Sequence, residues 1–235
     1  MTDKTVATRI IAALDLPTWE EARPLVQALM PRVRIFKVGI TLFVREGRRP
    51  IDELHEMGAE VFLDLKLHDI PMQVAGAAAA AAALGVRWLS LHTSGGERML
   101  REACEAVAGT PTELLGISVL TSLDREDLAA IGVDHAPAEA VALRARLAAK
   151  AGLHGLVCSP LEIALAREAL GPDRALVTPG IRLDPLAAGD DQKRVLGPAE
   201  ALRAGASHLV MGRALVRATD PGAALARLEE ALADV

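Results

Sequence analysis

Short, almost unbroken apolar runs recur along the chain, separated by longer segments in which apolar and polar residues follow a helical period. The runs are RIIAALD (9–15), RIFKVG (34–39), EVFLDLK (60–66), RWLSLHT (87–93), LLGISVL (114–120), HGLVCS (154–159), RALVTPG (174–180) and SHLVMG (207–212). A run that is apolar on both faces predicts a strand covered by helices on either side, the pattern of a parallel sheet. The intervening segments, such as TWEEARPLVQALM (18–30) and GGERMLREACEAVA (95–108), supply the helices. Eight strand–helix units within 235 residues predict a single α/β domain over residues 1–235, folded as a (β/α)8 TIM barrel. A doubly wound open sheet is the main alternative, but it ordinarily uses fewer strands.

Composition narrows the function. Apolar residues make up 51% of the chain, enough for an extensive core, and the net charge of −5 gives no broad attraction to nucleic acid. Three Phe, two Trp and no Tyr leave little with which to stack bases. Cys104 and Cys158 are isolated and lack CxxC spacing, which argues against a disulfide framework or a zinc site. The N-terminus MTDKTVATRI has no signal-peptide pattern. The longest apolar stretch, VAGAAAAAAALGV (74–86), spans roughly 20 Å as a helix, short of the ~30 Å hydrocarbon core. These features predict a soluble, cytoplasmic protein with no membrane and no nucleic-acid partner.

In such a barrel the polar residues at the C-terminal ends of strands form one mouth. Here they are Asp15, Lys37, Asp64, Lys66, His92, Thr121, Ser159, Thr178 and Arg213. The densest cluster lies in FLDLKLHDIP (62–71). Residues two apart on a strand share a face, so Asp64 and Lys66 point the same way, with Lys37 on the neighbouring strand. Asp69 follows where the strand gives way to a turn before Pro71. Carboxylates flanking a lysine raise its pKa, which favours proton donation over use as a base, and they repel an anion placed beside them. A structural ion network that closes one end of a barrel uses the same residue types, so spacing alone leaves both readings open. His68, alone between Leu67 and Asp69, reads as an orienting or packing residue.

A second group suits an anion. TPGIR (178–182) follows the seventh strand and MGR (211–213) the eighth, the two loops where barrels commonly bind phosphate. Gly180 and Gly212 allow backbone N–H groups to approach closely, and Arg213 presents a forked donor. The longest irregular stretch, residues 179–198, contains Gln192 and reads as a lid over this end.

DLKLHDIP, preceded by IFKVGI and followed by LHTSGG, LTS, TPGIR, DDQKRV and VMGRAL, closely resembles the orotidine 5′-phosphate decarboxylase family, in order from Asp15 to Arg213. The resemblance implies a homodimeric barrel that converts orotidine 5′-monophosphate to UMP and CO2 with neither metal nor organic cofactor. It implies that Lys66 donates the proton to C6, Asp64 sits beside the departing carboxylate, and Lys37 binds ribose and holds Asp64. Asp69 would cross the dimer interface to complete the partner's Lys-Asp-Lys-Asp array. Asp15 would bind ribose, and Thr121 the pyrimidine, with Ser122 as the rival for that contact. Arg182, Gln192, Gly212 and Arg213 would grip the phosphate beside Pro179 and Gly180, and Ile70 would join the substrate contacts. The family usually continues D-I-P with Asn-Thr, whereas Met72 and Gln73 follow here, so Gln73 stands where a threonine hydroxyl would meet the partner's nucleotide. Sugar-phosphate decarboxylases and aldolases of the same barrel group share Asp64, Lys66 and Asp69, but carry Glu in place of Lys37 and use it with Mg²⁺. A non-catalytic phosphoribosyl-ligand sensor is the alternative outside enzymes.

Overall fold

The structure, a computed structural model, describes residues 8–183, 196–216 and 218–233. Eight parallel strands follow one another in chain order: β1 Ile10–Ala13, β2 Ile35–Gly39, β3 Glu60–Leu67, β4 Trp88–His92, β5 Glu113–Ile117, β6 Gly155–Val157, β7 Ala175–Thr178 and β8 His208–Met211. β8 pairs back onto β1, which closes the sheet into the barrel that the apolar runs predict. β6 is shorter than the run 154–159, because Ser159 leads straight into a 3-10 turn at Pro160–Glu162.

The helices follow from the same sequence logic. Trp19–Leu29 is capped by Thr18, whose hydroxyl accepts from the Glu21 N–H at 3.3 Å, and it buries Trp19, Ala22, Leu25, Val26 and Leu29 at helical spacing. The alanine-rich helix Pro71–Ala83 begins at a proline, whose missing N–H costs nothing in the first turn. It buries Val74, Ala78 and Ala81, side chains small enough to bring its backbone close to its neighbours. The chain leaves this helix at Leu84, before Gly85 with φ 74°, rather than running to residue 86.

Alternation along the strands divides the core in two. Outward residues such as Ile10, Phe36, Leu63, Leu89 and Leu209 pack beneath the helices. Inward residues Ile11, Ile35, Phe62, Trp88, Leu115, Val177 and Val210 fill the middle of the barrel, where Phe62 and Trp88 meet edge to face at 6.1 Å. This apolar plug separates two polar ends. β3 spans all three levels, with Glu60 at the N-terminal end, Phe62 in the plug and Asp64 at the C-terminal mouth.

Candidate active site

Above the plug, the C-terminal mouth holds a cavity of about 250 Å³. Asp15, Lys37, Asp64 and Lys66 form its charged side, and Phe62, Ile117, Val119 and Val157 its apolar side. The Lys37 ammonium lies 2.8 Å from Asp15 Oδ1 and 3.6 Å from Asp64 Oδ2. Asp64 Oδ2 also accepts from Lys66 Nζ at 2.6 Å, while Oδ1 accepts from the Ser90 hydroxyl at 2.7 Å. Within one chain the alternating array is therefore Asp15–Lys37–Asp64–Lys66. Asp69, which the sequence places in the cluster, is exposed, and its carboxylate accepts from the Ile70 N–H at 2.6 Å.

Lys37 and Asp64 are only 9% and 6% exposed, so both pay for desolvation. Burial alone would lower the Lys37 pKa, but the charges of Asp64 and Asp15 outweigh it and raise it. Burial alone would raise the Asp64 pKa, but Lys37, then Lys66, hold it below the usual carboxylate value. At an effective dielectric near 20, a pair at this separation is worth about 4 kcal/mol. The pair is thus a charged pair at neutral pH. Gly39 leaves room for it: a Cβ there would fall 3.2 Å from Lys37 Nζ and 3.4 Å from Asp15 Oδ1.

Lys66 reaches Asp64 in a way that simple alternation does not anticipate. The register of β3 on β4 runs Leu63↔Leu89 and then Leu67↔Leu91, so β3 carries extra residues over this span. At this bulge Lys66 has φ 51°, the one non-glycine residue with positive φ among those described. Its N–H bonds to the Ser90 hydroxyl at 2.9 Å. Asp64 and Lys66 do face each other, as the two-residue spacing predicts, but across a bulge that regular alternation does not anticipate.

Thr121, Pro179, Gly180, Arg182, Gly212 and Arg213 complete the cavity wall. Gly180 has φ 79°, a conformation that glycine adopts freely. The two ends of the long connection after β7 are pinned together by a bridge between Ile181 and Leu196, with the Arg182 N–H donating to Leu196 O at 3.1 Å. The backbone thereby sets Arg182 beside the loop that carries Gly212 and Arg213.

Other candidates lie elsewhere. Ile70 and Gln73 are exposed, as is Ser122, and none of them lines this cavity; Gln192 falls outside the described residues. His92 lies tilted against His68 with ring centres 5.6 Å apart, and burial, followed by the nearby His68, lowers its pKa to about 4. Ser159 bonds to Glu162, and the buried Thr178 hydroxyl finds no partner among the described residues. Ser159 and Thr178 thus do not line the cavity, and neither does His92, although it lies close enough to Lys66 and Asp64 to feel their charges. Sequence reasoning also passed over Ser90, although it is the one polar residue at an inward position of the run WLSL.

Residues 8–228 match the model of the family described as orotidine 5′-phosphate decarboxylase / HUMPS. The chain is 48% identical over 220 residues to an orotidine 5′-phosphate decarboxylase of Neisseria gonorrhoeae, covering 93% of this chain and 89% of the relative. It is 50% identical over 216 residues to one from Anaeromyxobacter dehalogenans, covering 92% and 94%. Among solved structures, the orotidine 5′-phosphate decarboxylase of Lactobacillus acidophilus superposes with a TM-score of 0.84 at 33% identity, covering 96% of this chain and 99% of that one.

Proposed function

The chain belongs to the orotidine 5′-phosphate decarboxylase / HUMPS family, and on that premise we propose that Lys66 stabilises and then protonates the carbanion formed at C6 of its substrate. The reaction is decarboxylation of orotidine 5′-monophosphate to UMP and CO2 in pyrimidine biosynthesis. The bond between C6 and the carboxylate breaks heterolytically, CO2 departs, and the electron pair stays on C6. No adjacent carbonyl delocalises that pair, so the nearest positive charge governs the barrier. The Lys66 ammonium supplies the charge and then one proton to C6; the amine recovers its proton from solvent.

The observation that carries this reading is the array in which Asp64 Oδ2 holds Lys66 Nζ at 2.6 Å while Lys37 backs it at 3.6 Å. Asp64 fixes the ammonium in place and lies where a departing carboxylate would be repelled. Asp15 and Lys37 bind the ribose, and Thr121 the pyrimidine; Ser122, exposed beside it, is the weaker candidate for that contact. Arg182, Gly212 and Arg213, with Pro179 and Gly180, hold the phosphate, far enough from C6 for remote binding energy to serve the chemical step. In the metal-dependent reading a divalent ion would need the space between carboxylates that the Lys37 ammonium already fills.

The reading extends to a homodimer. Asp69, Ile70, Met72 and Gln73 form an exposed edge beside the mouth, with Ile70 and Met72 60% and 69% exposed. A second copy docked there would cover these apolar side chains and bring Asp69 to its neighbour's Lys66. A cytoplasmic location completes it, in keeping with relatives that are pyrimidine-biosynthesis enzymes and with Cys104 and Cys158, which form no disulfide among the described residues. One mixing experiment tests chemistry and assembly together. Lys66→Ala and Asp69→Ala should each lose turnover of orotidine 5′-monophosphate, and refolding them together should restore activity through one intact site per mixed dimer. Mixed dimers without activity would contradict the shared site, and an active Lys66→Ala would contradict the chemistry.

A further inference from the structure

Ser90 is wholly buried on β4, facing into the barrel beneath the cavity, and it is not part of the cavity wall. Its hydroxyl makes two hydrogen bonds of opposite sense. It donates to Asp64 Oδ1 at 2.7 Å and accepts from the Lys66 N–H at 2.9 Å. We propose that Ser90 is a positioning residue for the decarboxylation, one oxygen that fixes both the Asp64 carboxylate and the strained backbone carrying Lys66. This inference rests on the catalytic reading of Lys66 and Asp64 given above.

The two oxygens of Asp64 divide the work. Oδ2 faces the ammonium groups of Lys66 and Lys37, and Oδ1 accepts from the Ser90 hydroxyl. A carboxylate held only at Oδ2 would be free to turn about its own axis, and the lysine it positions would turn with it. The hydroxyl also replaces the ladder partner that Lys66 loses at the bulge. The positive φ of Lys66 costs energy, and a conformation of that kind persists only where neighbours hold it. Ser90 is such a neighbour, and it acts from the adjacent strand on both catalytic groups at once.

Removing the hydroxyl therefore affects the chemical step more than binding. The groups facing Asp64 are Lys37 on β2, with Asp15 behind it after β1, Lys66 on its own strand, and Ser90 and His92 on β4. His92 is held neutral, so loss of the Ser90 donor leaves only the two lysines to keep Asp64 ionised. The carboxyl pKa rises, and the acid limb of the kcat profile moves to higher pH.

The test compares Ser90→Ala and Ser90→Thr with the parent enzyme, measuring kcat and KM for orotidine 5′-monophosphate across pH, and melting temperature. Ser90→Ala should lower kcat about 10²-fold, leave KM within about threefold, and shift the acid limb upward. Ser90→Thr, which retains the hydroxyl, should recover most of kcat and return the limb. Should the added methyl or the lost oxygen prevent folding, Ser90→Cys, a near-isosteric weak donor, carries the same measurement, with an intermediate kcat expected. A kcat within about threefold of the parent in the alanine or the cysteine variant overturns the proposal, as does a loss confined to melting temperature. Lys66→Ala run alongside separates the two ideas: if it is inactive while Ser90→Ala is normal, only the role of Ser90 falls.

Discussion

The barrel has two polar ends separated by an apolar plug, and they use charge in opposite ways. At the N-terminal end Glu60 pairs with Arg87, whose guanidinium lies 4.2 Å from the centre of the Trp88 ring, and the indole N–H of Trp88 donates to Glu113 at 2.7 Å. His208 meets Trp88 edge-on at 4.7 Å, and Arg167 spends its donors on the backbone carbonyls of Gly171, Arg174 and Gly205. Each carboxylate there has its own donor, and the Glu60–Arg87 pair remains partly open to water, so it contributes little and costs little. At the C-terminal mouth one deeply buried carboxylate, Asp64, serves Lys37, Lys66 and Ser90 together. Burying such a cluster is expensive, and a fold selected for stability alone does as well with apolar residues of similar volume. The proposed function reads the first as a structural ion network and the second as a functional one, a choice that residue types in the sequence leave open.

The largest break of this contrast is a paired substitution. Lys37→Ala leaves Asp64 and Asp15 without their common cation. It should lower kcat/KM by about 10²-fold or more and cost about 3–5 kcal/mol of stability. Glu113→Gln, at the other end, keeps an acceptor for Trp88 and should leave kcat/KM within about twofold, with a melting temperature close to the parent. Equal kinetic effects at the two ends would erase the distinction.

A smaller effect sharpens what the ends share. Each contains a histidine held neutral, His92 at the mouth and His208 at the base, both with pKa lowered to about 4, chiefly by burial. In the unfolded chain a histidine titrates near 6.5, so the unfolded state binds protons that the native state refuses. This contribution to stability is intact above about pH 6.5 and is lost progressively as pH falls toward 4. His208→Asn and His92→Asn should each flatten the decline of melting temperature between pH 7 and 4.5, the first without changing kcat. An unaltered slope in both variants would contradict the assignment.

Much of this was legible in the sequence. The eight apolar runs locate the strands, because a parallel strand covered on both faces has to be apolar throughout, and their C-terminal ends locate Asp15, Lys37, Asp64 and Lys66. The bulge was not legible. DLKL has the alternation of a regular strand, and nothing in its composition shows that Lys66 adopts φ 51°. Thr178 misled because its neighbour Val177 takes the inward position, and Ser159 because the chain has already left β6 for the 3-10 turn at Pro160–Glu162. Ser90 was within reach, since a lone hydroxyl at an inward position must find a partner inside the barrel.

The central claim is that the Lys66 ammonium meets the negative charge developing at C6. Single-turnover decarboxylation by Lys66→Ala saturated with orotidine 5′-monophosphate tests it most directly, because saturation removes binding from the comparison. The account predicts a rate at least ~10³-fold below the parent with UMP affinity retained; a rate within tenfold of the parent would contradict it.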